Sequence, residues 1–252
     1  MEKWIGVVGG VGPFAGIDLL GKIAAQTVAD KDQDHLTVLN WSQPGQIVDR
    51  TEFLLGHVAQ NPAVALAEQV QQLARMGAGV VGIPCNTAHA PRIFNQIRAE
   101  LAAANCDVLL LHMIEEVGRF LQSNLPHVKQ IGVLSTTGTY RAGVYAAVLE
   151  PLGFTAVLLP FSLQTEKIHP AIYDPIFGLK ACGVLTRQAQ ENLLLGVNTL
   201  KMAGAEAIIL GCTELPLAYN ELATAGLPLI DPTVILARAL IREANPAKLK
   251  PL

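Results

Sequence analysis

The chain has 252 residues, of which 51% are apolar and only 15% charged, so it can bury a sizeable core and does not read as disordered. Its 18 basic and 21 acidic side chains give a net charge of -3 with no Lys/Arg cluster, which argues against nucleic acid or an anionic membrane as a partner. No apolar run reaches the ~18 residues of a membrane helix. The uncharged opening from Trp4 to Ile17 is broken by Gly6, Gly9, Gly10, Gly12, Gly16 and Pro13, which a signal peptide would not be. A soluble, cytoplasmic protein is expected.

In chain order, Ile5 to Val8 is a buried-strand signal and Pro13 to Ala29 a helix. Leu36 to Asn40 predicts a second strand. Asn61 to Met76 predicts a helix with Asn61 as N-cap and Pro62 at its first position, and Gly79 to Ile83 the next strand. The second half repeats the plan. Ile131 to Leu134 reads as a strand, Gly143 to Leu149 and Leu185 to Met202 as helices, and the run from Gly204 leads into Cys212. Such alternation predicts parallel sheets covered by helices.

The two halves share a register. Ile5 and Ile131 lie 126 residues apart, and Cys85 and Cys212 lie 127 apart. At nearly the same offset Gly77-Ala78 meets Gly204-Ala205, and Val81-Gly82-Ile83 meets Ile208-Ile209-Leu210. An internal duplication is therefore expected. It predicts two similar α/β domains with mainly parallel sheets, related by a pseudo-twofold, with the active site in the cleft between them. The boundaries expected are 1–115 with 217–252 for the first domain and 116–216 for the second, the last helix (Thr233 to Glu243) folding back onto the first.

Cysteines stand at 85, 106, 182 and 212 with no C-x-x-C pair, a spacing that argues against a zinc framework or a disulfide scaffold. Cys106 and Cys182 read as buried apolar residues. The other two keep polar company, in Ile83-Pro-Cys85-Asn86-Thr87-Ala-His89 and Leu210-Gly-Cys212-Thr213-Glu214-Leu-Pro216. Each ends a buried strand. A helix starting there would aim backbone N–H groups at the sulfur and lower the thiol pKa. Two such groups suit inversion of a carbon centre, where one base takes a proton from one face and an acid returns one to the other. His89, four residues after Cys85, can tune the thiolate or serve packing; Glu214 can hold a substrate ammonium or order a loop.

Pro-Cys-Asn-Thr-Ala-His and Gly-Cys-Thr-Glu-Leu-Pro resemble the paired signatures of the Asp/Glu racemase superfamily, and Gly9-Gly-Val-Gly-Pro13 is similar to the opening of its aspartate branch. The resemblance spans essentially the whole chain. It implies an aspartate racemase independent of pyridoxal phosphate and metal, hence without cofactors, that acts on a small-molecule substrate and forms a homodimer. Cys85 and Cys212 match the catalytic thiols. Arg50 resembles the arginine that grips a carboxylate, and Lys167 a second cationic contact. Asn86, Thr87, Thr136, Thr213 and Glu214 resemble substrate contacts, with Gly10 and Gly12 in the opening loop. Phe14 and Gly16 depart from many relatives, which carry an acidic residue and a threonine there.

Other readings exist. A glutamate or broader amino-acid racemase fits the same motifs. Gly10-Val-Gly12-Pro-Phe-Ala15 also fits the G-x-G-x-x-G/A dinucleotide pattern of a nicotinamide-dependent oxidoreductase, although Pro13 removes an N–H that a pyrophosphate would use. A two-lobed binding protein shares the layout but gives the paired thiols no work.

Overall fold

The computed structural model describes residues 2–252. Two compact units form, one of residues up to Val117 together with Thr233–Leu252, the other of Gly118–Pro232. Each holds one four-stranded parallel sheet.

In the first unit the strands are β1 (Trp4–Gly9), β2 (Val38–Ser42), β3 (Ala78–Gly82) and β4 (Leu109–Leu110), in the spatial order β2-β1-β3-β4. Helices α1 (Pro13–Gln26), α2 (Arg50–Leu55), α3 (Ala63–Arg75) and α4 (Pro91–Ala103) connect them, and α5 (Met113–Asn124) leads out. The apolar stripe of α3 puts Leu66, Val70 and Leu73 fully inside, each worth about 1.5–3 kcal/mol of burial. Asn61 caps this helix one residue away from the expected frame: its Oδ1 accepts from Ala63 N at 3.0 Å, and Pro62 is the boundary residue.

The second unit repeats the order as β6-β5-β7-β8, with β5 at Gln130–Ser135, β6 at Thr155–Val157, β7 at Ala207–Gly211 and β8 at Leu229–Ile230. Its helices are α6 (Thr137–Arg141), α7 (Ala146–Leu149), α8 (Phe161–Leu163), α9 (His169–Tyr173), α10 (Leu179–Cys182), α11 (Arg187–Met202) and α12 (Tyr219–Ala223). One π-helical turn, Gln164–Ile168, joins α8 to α9.

The duplication reaches individual contacts. A methyl group on Gly6 would meet Val81, Ala78 and Leu73, the closest at 2.9 Å. One on Gly132 would meet Ile208, Ala205 and Leu200, the closest at 2.5 Å. Those two sets are the same positions shifted by 126 or 127 residues. In both units the cysteine-bearing strand, and behind it the helix that precedes it, press so close to the central strand that a Cβ there would have to displace its neighbours.

One boundary differs from the sequence reading. Residues 217–232 belong to the second unit, because β8 pairs in parallel with β7 and Pro228 O accepts from Ile208 N at 2.9 Å. The last helix, α13 (Pro232–Ala244), packs Leu236 and Leu240 against Gly82 of β3. Arg242 on α13 also grips the buried carboxylate of Glu116 on α5 with two bonds of 3.0 and 3.1 Å.

Candidate functional site

The order β2-β1-β3-β4 contains a topological switch point: from β1 the chain crosses to opposite sides to form β2 and β3. Loops at the carboxyl ends of those two strands splay apart and leave room for a ligand. In the first unit they are the glycine loop after β1 and the segment Ile83 to His89 after β3. The corresponding loops of the second unit follow β5 and β7.

At the first switch point Gly10 and Gly12 have φ of 79° and 117°, where a side chain would strain the backbone. A Cβ on Gly10 would stand 2.7 Å from Pro44 N, so close passage of two chain segments accounts for that glycine. Asp49 caps α2, accepting from Thr51 N and Glu52 N at 2.7 and 3.0 Å. Arg50 therefore begins the helix, and its Nη2 donates to Val11 O at 2.8 Å. The buried arginine is thereby tied to the glycine loop.

Cys85 is buried, at 7% exposure. Its carbonyl accepts from Ala88 N at 3.2 Å and from the imidazole Nδ1–H of His89 at 2.8 Å. Asn86 and Thr87, also buried, follow in a single tight turn ending at His89. No α-helix starts at the sulfur, contrary to the sequence expectation. Ala90 is extended at ψ 139° because Pro91 disfavours helical backbone before it, and α4 begins only there. His89 stacks on Phe94 with centroids 5.0 Å apart and meets His112 edge-on at 4.8 Å. Burial, reinforced by the His112 charge, drives its pKa down to about 3. The ring is neutral and braces the turn through the Cys85 carbonyl.

In the second unit Cys212 is equally enclosed, at 6% exposure, but its neighbours differ. Its thiol donates to Glu214 Oε2 at 3.0 Å, and the Thr213 hydroxyl donates to the same oxygen at 3.2 Å. The other oxygen, Oε1, receives Lys180 Nζ at 2.5 Å. Burial pushes the Cys212 thiol well above its ordinary range, and the Glu214 charge adds to this against the pull of Lys180. The expected lowering of this thiol pKa is thus reversed. Burial would also raise Glu214, but the Lys180 ammonium and bonds from Cys212, Lys180 and Thr213 outweigh it and keep the carboxylate ionised.

Two further candidates have other surroundings. The Thr136 hydroxyl caps α6, accepting from Thr139 N at 3.3 Å and donating to Thr139 Oγ1 at 3.2 Å. Lys167 lies exposed on the π-helical turn, beside the buried Gln164, whose side-chain amide donates to Ser135 O at 2.9 Å. Lys180, absent from the sequence reading, is the cation that reaches the carboxylate beside Cys212. A lysine in Gly-Leu-Lys-Ala carries no motif, and only the fold brings it to a glutamate 34 positions later. The neutral His89–His112 pair was equally invisible, because its state follows from burial.

Two α/β units of one topology, each ending a central strand in a buried cysteine, define a duplicated α/β protein with matched strand-end thiols. Residues 8–240 match the Asp/Glu/Hydantoin racemase family, and the chain belongs to it. It is 32% identical over 177 residues to a glutamate racemase of Pseudomonas entomophila; the match covers 68% of this chain and 59% of that relative's length. It is 23% identical over 246 residues to the broad specificity amino-acid racemase RacX of Bacillus subtilis, covering 94% and 96% of the two chains. Among solved structures, an aspartate racemase from Picrophilus torridus superposes with a TM-score of 0.79 at 28% identity, over 98% of this chain and 96% of that one. Among the described residues no helix is long and apolar enough to cross a membrane.

Proposed function

We propose that this protein racemises an amino acid, with aspartate the foremost substrate, by exchanging the Cα proton between Cys85 on one face and Cys212 on the other. The observation that carries this reading is the repetition itself. Two separate switch points, built on one plan, each end their second central strand in a buried thiol among hydrogen-bonding side chains. A binding protein would have no use for an acid/base group at both.

One thiolate removes the proton, the electron pair passes into the adjacent carboxylate to give a dianionic centre, and the opposite thiol supplies a proton. Donors must be in place before that charge appears. Asn86, Thr87 and Thr213 are suitable, and Arg50 offers the forked geometry that pairs with a carboxylate through two bonds. Because the thiols hold and return the proton themselves, the scheme needs no added cofactor. The likeness to an aspartate racemase along nearly the whole chain supports aspartate. The likeness to RacX supports a second reading, a broader substrate range.

The test is incubation of dialysed enzyme with single L-amino acids in D₂O, without added cofactor, followed by chiral separation and mass measurement. Aspartate is expected to give D-aspartate carrying one deuterium at Cα. Turnover of many amino acids at similar rates would favour the broader reading. No exchange with any of them would reject racemisation.

A further inference from the structure

We propose that Lys180 is a positioning residue which, acting through Glu214, keeps the exchangeable proton of the substrate-free enzyme on Cys212, so that Cys85 serves as the first base. This rests on the racemase reading and deepens it by making the two thiols unequal before substrate arrives.

The placement of Lys180 is built, not incidental. Asp174 Oδ1 accepts from Ile176 N at 2.8 Å and Phe177 N at 3.1 Å, closing a tight turn after α9. Gly178 closes it further, since a Cβ there would fall 2.5 Å from Asp174 N and 2.6 Å from Asp174 O. The turn delivers α10 with Lys180 over the Tyr173 ring, Nζ 5.4 Å from its centroid. That ring is itself stacked on His169 at 4.7 Å. From this position the ammonium takes one oxygen of Glu214, which leaves the other aimed at the Cys212 sulfur.

An ionised carboxylate only accepts hydrogen bonds, so the group between it and Sγ must be S–H. With Cys212 as thiol, the trio of Cys212, Glu214 and Lys180 is neutral overall. A Cys212 thiolate would place two negative charges within 3.0 Å of each other in a buried site. Tyr145 is a buried phenol whose ring carbon would stand 3.1 Å from a Cβ on neighbouring Gly211, and burial and the Asp231 charge hold its own proton in place, so it brings no charge to the thiol. The Lys180 ammonium and the Glu214 backbone amide favour the thiolate, but burial and the Glu214 charge outweigh them, and the Lys180 charge is already engaged by Glu214.

The proposal is tested by iodoacetamide alkylation of the substrate-free enzyme as a function of pH, with each cysteine followed separately by peptide mass spectrometry. Cys85 and Cys212 are similarly enclosed, at 7% and 6% exposure, and the dependence of each rate on pH separates protonation from access. In the unmodified enzyme at neutral pH, Cys212 is expected to react at least tenfold more slowly than Cys85. Glu214→Gln should speed Cys212 at least tenfold and move its alkylation profile down by about one pH unit or more, a tenfold rate change below the midpoint being one unit. In a Lys180→Met background the same Glu214→Gln change should alter the rate less than twofold, because a buried Glu214 without its cation is already neutral. Lys180→Arg should retain the unmodified profile. Equal alkylation of the two thiols in the unmodified enzyme would overturn the proposal. So would a Glu214→Gln effect of the same size with and without Lys180. If Lys180→Met does not fold, the Glu214→Gln shift and the Lys180→Arg profile still decide, and loss of the normal profile with arginine counts against it. Alkylation needs no turnover, so failed deuterium exchange with these results intact would remove the racemase reading and leave the Lys180–Glu214 arrangement standing.

Discussion

The two cysteine-bearing strand ends share a scaffold and differ in electrostatics. Shifting by 127 residues sets Asn86 against Thr213, Thr87 against Glu214 and His89 against Pro216. The first member of each pair is uncharged in the folded protein, His89 included. The second set contains an ionised carboxylate in contact with the sulfur and, from elsewhere in the unit, a lysine that holds it. A duplicated fold can therefore keep its packing, down to Gly6 and Gly132, while the chemistry at its two strand ends diverges.

The largest expected effect removes each half of the comparison in turn. Cys85→Ala and Cys212→Ala should each lower racemisation by at least the ~10²–10⁴-fold of a positioned acid/base group, read by polarimetry with far-ultraviolet circular dichroism as the control for folding. Near-normal turnover in either would end the two-base scheme.

The neutral histidine gives the first strand end an acid-stability signature. His89 is held at about 3 in the folded protein against 6.5 when unfolded, chiefly by burial and then by His112. Between those values the unfolded chain binds a proton that the folded one does not, so stability falls as pH drops below about 6.5. The slope is about 1.4 kcal/mol per pH unit, or roughly 2–3 kcal/mol by pH 4.5. His112, which is also lowered by burial, adds to it. Urea denaturation at pH 7 and 4.5 should show this difference in the natural protein and a flatter dependence in His89→Gln; equal slopes would remove His89 as the cause.

Packing at the two central strands sharpens the comparison further. Gly6→Ala and Gly132→Ala should each cost about 1–3 kcal/mol in denaturant titrations, the range for overfilling a core. Gly6→Ala should cost at least as much, although its contact is longer. It meets Val81, whose branched side chain cannot swing, whereas Gly132 meets the terminal Cδ1 of Ile208. A clearly cheaper Gly6→Ala would show that the two cores relax differently.

The smallest effect is expected at the surface pair Arg187–Glu191, 2.9 Å apart with side chains 91% and 55% exposed. Arg187→Ala should change stability by less than about 0.5 kcal/mol, in contrast to the enclosed Lys180–Glu214 pair. A larger thermal shift would mean that Arg187 has a second role, such as supporting the start of α11.

Much of this was legible in the chain. β1, β3, β5 and β7 are short buried apolar runs, and the 127-residue offset announced both the repeated sheet and the matched thiols. What escaped was whatever depends on tertiary enclosure. Cys212 reads in sequence like an activated thiol because a helix start at the strand end would aim N–H groups at it; its burial against the Glu214 carboxylate reverses the sign. The helix expected at the first sulfur starts only at Pro91, and after the second sulfur a tight turn, Leu215–Ala218, precedes α12. The boundary near 217 was misplaced because β8 is two residues long and lacks a strand pattern of its own. Arg50 was legible as a candidate cation, whereas its tether to Val11 was not.

The return of α13 to the first unit has a consequence for how the protein is made. Residues 118–232 are contiguous and can close their sheet while the chain is still emerging from the ribosome. The first unit cannot, since the face of β3 around Gly82 waits for Leu236 and Leu240 near the far end of the chain. Backbone bonds from Val28 N to Lys248 O and from Lys250 N to Gln26 O, at 2.7 and 3.0 Å, tie the segment after α13 to the same unit. The strand that presents Cys85 therefore meets its covering helix, α13, only across the whole length of the second unit.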